Sequence, residues 1–95
     1  MVIRILDHVQ TASTYEDGDA IYRLIRGPIA DGEAVTVSFD GVLAVPSAFV
    51  NAAFVRLLES IPFDRVRACL RIQDSTRTIN ELVRGRFIFV EQSRS

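Results

Sequence analysis

The chain of 95 residues has no Lys and no Trp, and it has one Cys, one His and one Met. All eleven basic residues are Arg, set against twelve acidic ones, for a formal net charge of −1. A nucleic-acid binder draws much of its affinity from phosphate contacts and carries a marked basic excess, so nucleic acid is not an expected partner. The exclusive use of Arg is read as the mark of a G+C-rich genome, not of a mechanism. A single cysteine, Cys69, forms no internal disulfide, which suits a reducing, cytoplasmic compartment. His8 and Cys69 are isolated, so no metal-ligand spacing exists. No Gly-rich phosphate loop is present, nor a pair of carboxylates on one helix face near a His. No intrinsic catalysis, metal or organic cofactor is therefore expected. No apolar run approaches the ~18 residues of a membrane span, and no basic, then apolar, then small-residue pattern opens the chain as a secretory signal would. A soluble protein without a membrane segment is expected.

What the sequence does have is apolar content of 48%, enough for one core. The length fits one domain over residues 1–95 with two layers and excludes two domains. Everything is arranged around Glu33 to Ser60. Val35, Val37 and Phe39 alternate with Thr36 and Ser38, the period of a strand with one buried face. Asp40-Gly41 supplies a turn. After the apolar link Val42 to Val45, Pro46 keeps Val45 out of the α region and Ser47 is placed to cap a helix over Ala48 to Ser60. Phe49, Val50, Ala53, Phe54, Leu57, Leu58 and Ile61 form its apolar stripe.

Either side of this run the patterns are shorter. Val2 to Leu6 reads as a first strand. Thr14 or Ser13 caps a helix from Tyr15 to Arg26, with Glu16, Asp17 and Asp19 in its favourable first turns. Gly27-Pro28 reads as a stop, with a bent continuation through Ile29-Ala30 before Asp31-Gly32 turns the chain. Arg65 to Ile72 alternates, Val66, Ala68, Leu70 and Ile72 against Arg65, Arg67, Cys69 and Arg71, and reads as a half-buried strand. Asp74 and Ser75 supply turn and cap chemistry for a short helix with Ile79, Leu82 and Val83 inside, stopped by Gly85. Phe87 to Val90 reads as a final strand on composition, and Gln92 to Ser95 are expected to fray.

The resulting order β-α-β-α-β-α-β predicts an α/β domain with a single sheet of about four mostly parallel strands. Strands buried on both faces would be continuously apolar, whereas these alternate. Helices are therefore expected on one face only, with Thr36, Ser38, Arg67, Cys69 and Arg71 on an open polar face.

The run VSFDGVLAVPSAFVNAAFVRLL resembles the signature of the STAS-like domain family of unknown function, in which a strand ending Phe-(Asp/Glu)-Gly-Val leads to a Ser-Ser-Phe helix start. TYEDGDAIYRLI is similar to that family's first helix. The resemblance implies the one-sided STAS layout. It also implies a regulatory protein–protein interaction module of the anti-sigma factor antagonist type, partnered with an ATPase of the histidine-kinase-like superfamily. In such antagonists a Ser at the start of the corresponding helix is phosphorylated, and the added charge breaks the partner contact. Here Ser47-Ala48-Phe49 stands where the family has Ser-Ser-Phe, so the phosphorylatable position falls on Ser47 or on Ala48.

Each candidate residue also has an ordinary role. Ser47 as a plain N-cap contributes roughly 1 kcal/mol. Asn51, one turn on, would line a small pocket with Ser47 or cap a loop. Leu43, Pro46 and Asn51 are the expected contacts to a partner or ligand. A triad of Ser47, His8 and Asp40 is compatible with a fold whose strand ends converge, against the ordinary reading in which the three are unconnected. Arg65, Arg67 and Arg71 on one strand face would make a basic stripe, or an ordinary solvated face pairing with Asp64 and Glu91. The open sheet face offers a homodimer surface. The alternative function is a small nucleotide or ligand sensor built around Ser47 and Asn51.

Overall fold

A computed structural model describes residues 1–93. Three parallel strands, β1 (Val2–Arg4), β2 (Val35–Ser38) and β3 (Leu70–Gln73), lie in the order β1-β2-β3. Ile3 is in register with Val37, and Val37 with Ile72. Four helices accompany them: α1 (Tyr15–Ala30), α2 (Ser47–Ala53), α3 (Phe63–Cys69) and α4 (Arg77–Ser93). Ile3, Val35 and Val37 are buried beneath the helices, while Val2, beside Thr36 on the other face, is 68% exposed. The one-sided layer follows from the alternation in β2.

Helix α1 starts on a capping box. Thr14 Oγ1 accepts from Asp17 N, and Asp17 Oδ2 accepts from Thr14 N, Ser13 N and Thr11 Oγ1. Burial works against the Asp17 charge, yet these donors together hold its carboxyl below the usual carboxylate range. The helix runs through Pro28 and ends at Ala30. Ile21, Ile25 and Ile29 recur every fourth residue and are fully buried. Burying an Ile is worth about 1.5–3 kcal/mol, enough to offset most of the ~3 kcal/mol that proline costs a helix interior. Arg65 Nη1 donates to the Ala30 carbonyl at 2.9 Å, satisfying one of the last carbonyls, which the end of the helix leaves without a helical donor. Gly32 and Gly41, with φ of +85° and +84°, make the turns at either end of β2.

The central helix is shorter than its apolar stripe suggests. α2 ends at Ala53, and Val55–Glu59 is a 3-10 turn entered at Phe54, whose φ and ψ are −120° and −50°. Continued as one α-helix, the apolar residues from Phe49 to Ile61 would sweep well over half the circumference. In a 3-10 turn residues i and i+3 eclipse, which brings Leu57 beneath Phe54; both are fully buried. Phe54 meets Phe39 and Phe49 with ring centroids 6.1 and 6.3 Å apart. This is the middle of the core.

The C-terminal third departs most from expectation. Arg65 to Cys69 is helical, within α3, and only Leu70–Gln73 is a strand. Val66 and Cys69 are buried and Ala68 is exposed, the i and i+3 pattern of a helix and not alternation. Of the expected open face, Thr36 and Arg71 lie on it, Arg67 sits on α3, Cys69 is in the core, and Ser38 is buried, its hydroxyl bonded to Asp74. Gly85 does not stop α4, and Phe87 to Val90 are helical, so the fourth strand is absent among the described residues. Gln92 and Ser93 continue α4, while Arg94 and Ser95 lie outside the described residues.

Candidate functional site

At the C-terminal end of β2 the chain leaves the sheet for the link from Val42 to Pro46. Ser38 Oγ donates to Asp74 Oδ2 at 2.8 Å and accepts from Asp40 N at 3.2 Å. Asp74 adopts a φ of +55°, which Asp tolerates better than most residues. The Ser38 hydroxyl, then Gln73 Nε2, hold the Asp74 carboxyl below its usual range. Arg4 bridges Asp7 and Asp40 at 3.0 and 3.2 Å, and these bonds, Asp7 first, raise the guanidinium further above its ordinary value. A Cβ at Gly41 would lie 2.9 Å from Leu6 Cδ1, so this turn is pressed against the chain leaving β1.

The link is anchored at alternate points. Val42 N donates to the Phe39 carbonyl at 2.7 Å and its side chain is buried, and Val45 is partly buried against the core. Between these anchors Leu43 stands out at 80% exposure, and Ala44, Pro46, Ser47 and Ala48 are exposed with it. Thr76 Oγ1, which also accepts from Ile79 N in the first turn of α4, reaches the Leu43 carbonyl at 3.5 Å. Leu43, Ala44, Pro46 and Ala48 thus make a solvent-facing apolar edge with the Ser47 hydroxyl set within it.

Ser47 does not cap α2. The capping position belongs to Pro46, whose carbonyl accepts from Phe49 N at 3.1 Å, and Ser47 is the first helical residue. Its hydroxyl has no partner among the described residues. Asn51 points elsewhere: its Oδ1 accepts from Arg86 Nε at 3.0 Å, tying α2 to α4. It lines a cavity of about 580 Å³ with Tyr15, Val55, Arg56, Leu58, Glu59 and Val90. Ser47 is not part of that lining, so no pocket is shared between the two. His8 is exposed, and no hydrogen bond joins it to Ser47 or Asp40 among the described residues; Asp40 is taken by Arg4. The basic stripe is also dissolved: Arg65 and Arg67 lie on α3, Arg71 lies on β3, and Arg65 is engaged by Ala30. Among the described residues no group of three or more His, Cys, Asp or Glu is placed to hold a metal ion.

A family model described as a STAS-like domain of unknown function matches residues 17–80. The chain belongs to that family. Neither the curated proteins nor the solved structures give a match. The match takes in all but the first two residues of α1, the central run and β3, so the link and the start of α2 lie within the family's own part of the chain, and most of α4 lies beyond it.

One cluster in this STAS-like domain was invisible in the sequence. Asp19, in the second turn of α1, accepts from Arg56 and pairs with Arg23 at 2.9 Å, and the Arg56 guanidinium lies 4.3 Å from the centre of the Tyr22 ring. The hydrogen bond from Arg56, the largest influence, lowers the Asp19 carboxyl and raises Arg56. The Asp19 and Arg23 spacing was readable as a helical pair. Arg56 is remote in sequence and nothing signalled it. No helix among the described residues is long and apolar enough to cross a membrane.

Proposed function

We propose that this STAS-like domain is a non-enzymatic regulatory module that docks a protein partner through the edge from Leu43 to Ala48. The observation that carries the reading is Leu43, a large apolar side chain left 80% exposed on a link whose neighbours Val42 and Val45 are anchored in the core. A held, apolar edge loses little conformational freedom on binding, which is what makes such a surface an effective contact. The resemblance to STAS antagonists suggests the partner, an ATPase of the histidine-kinase-like superfamily. Ser47, exposed beside Leu43 with an unengaged hydroxyl, is the candidate switch. A phosphate there would place about two negative charges on the apolar edge and oppose docking.

The test is co-purification with the protein encoded beside this one. Leu43→Glu and Ser47→Glu are expected to abolish capture while circular dichroism stays unchanged, since both positions are exposed. Unchanged capture by both variants rejects the edge. A thermal shift with ATP or GTP in the absence of any protein partner would instead favour a ligand sensor at the cavity beside Asn51.

A further inference from the structure

The second half of α4 is apolar at four successive positions, Phe87, Ile88, Phe89 and Val90. Each helical step turns about 100°, so these four side chains point to every side. A helix apolar all round is a buried helix, yet Ile88 is 45% exposed and Phe89 58% exposed. Val90 lines the cavity beside Asn51, and Phe87 stacks edge-on against Phe63 at 6.2 Å. Between them, Ile88 sits at the mouth of a second and larger groove of about 710 Å³ bounded by α3, β3 and α4. Its floor is Phe63, Val66, Leu70 and Ile72. Its α4 wall presents Arg84, Phe87, Ile88 and Glu91, the i, i+3, i+4 and i+7 positions of one helical face. Neither Arg84 nor Glu91 has an ion-pair or hydrogen-bond partner among the described residues.

We infer that this face is a two-fold interface between copies of the chain, with α4 packed antiparallel on α4 of a second copy. The order of residues carries the choice of occupant. In an antiparallel pair centred between Phe87 and Ile88, Arg84 and Glu91 are equidistant from the centre, so Arg84 of each copy faces Glu91 of the other. Phe87 likewise faces Ile88. One face therefore holds its own complement in charge and shape, the property an isologous interface requires. The apolar pair sits at the centre with opposite charges at both ends, and Ile88 of each copy is presented to the other's groove.

Sedimentation equilibrium of the full chain in a series up to about 1 mM tests it. The expected result is twice the 10.6 kDa monomer mass, reduced to monomer by Ile88→Glu. Arg84→Glu and Glu91→Arg are each expected to weaken the dimer at least about tenfold, because either one sets two like charges face to face. The double variant Arg84→Glu/Glu91→Arg restores both pairs and is expected to return within about threefold of wild type. Circular dichroism of each variant separates lost association from lost folding. A wild-type monomer throughout the series overturns the inference. So does a dimer indifferent to the single reversals, or one that the double reversal does not restore.

Discussion

Replacing Gly18 with Ala would set a methyl carbon 2.6 Å from the Phe49 carbonyl oxygen, 2.8 Å from Ala52 Cβ and 3.2 Å from Ala53 N. None of these atoms belongs to a side chain that can turn away, and α2 is itself pinned because Phe49, Val50, Ala52 and Ala53 are all buried. The clash must be relieved by separating α1 from α2, which pack more extensively than any other pair of elements. Overpacking costs about 1–3 kcal/mol, and a rigid obstacle places this case in the upper part of that range. Against it stands the ~1 kcal/mol that Ala gains over Gly inside a helix. The net expectation is a loss of about 1–2 kcal/mol, a fall in Tm of roughly 4–16 °C for a domain of this size. Gly85→Ala supplies the control. Gly85 is also helical, and a Cβ there meets nothing within 4 Å, so the same substitution should stabilise by about 0.5–1 kcal/mol. Urea and thermal melts of both variants decide it. If Gly18→Ala is neutral or stabilising, the close α1 to α2 crossing does not exist as described.

Acid should destabilise the fold through Asp17, Asp19 and Asp74. Their folded values lie below the ordinary carboxylate value, so the stability they contribute is present above their unfolded value of about 3.9 and lost as pH falls through the folded ones. Ser38→Ala removes the main donor to Asp74 and should flatten the stability curve below about pH 4; NMR titration showing Asp74 unmoved in that variant would contradict the assignment. Thr14→Ala breaks the capping box and is expected to cost about 1 kcal/mol in chemical denaturation, with Thr14→Ser retaining most of it. A loss well under half of that would mean that Asp17 alone holds the start of α1.

How far the sequence reaches depends on whether a period has room to declare itself. The strand at Val35, Val37 and Phe39, a cap at Thr14 or Ser13, the turns at Gly32 and Gly41 and the buried set from Phe49 to Ile61 were legible, because each rests on a local rule that the tertiary contacts here support. The segment from Arg65 to Ile72 was misread because Val66, Ala68, Leu70 and Ile72 alternate across a boundary. Its first half is helical through Val66 and Cys69, and its second half is the strand through Leu70 and Ile72. Two short patterns joined end to end imitated one longer one. The same junction scattered the basic stripe, since Arg65 and Arg67 are two helical steps apart and Arg71 belongs to β3. The pairing of Asn51 with Arg86 and of Asp19 with Arg56 was not legible at all, because contacts between residues far apart in sequence leave no spacing to read.

Phe87 to Val90 failed for a different reason. Four consecutive apolar residues have no period, and composition alone then favours a strand. Gly85 strengthened that reading, since helices commonly end at glycine, but it lies mid-helix and exposed, where glycine costs about 1 kcal/mol without breaking the helix. What tips the segment to helix is its continuity with Ile79 and Val83, buried one turn apart, and the seat that Phe87 finds against Phe63. The helical form then leaves Ile88 and Phe89 facing solvent, a conflict that a strand in the sheet would not have had. The feature that defeats the sequence reading is thus the one that the monomer cannot satisfy by itself, and an antiparallel second copy removes the conflict at Ile88 while leaving Phe89 covered only by the Arg86 guanidinium 5.1 Å from its ring centre. Burial of Ile88 without Phe89 is therefore a specific consequence of the two-fold arrangement. On dilution from dimer to monomer, solvent exposure should rise at Ile88 and stay constant at Phe89, and equal changes at both would place the contact on a different face of α4.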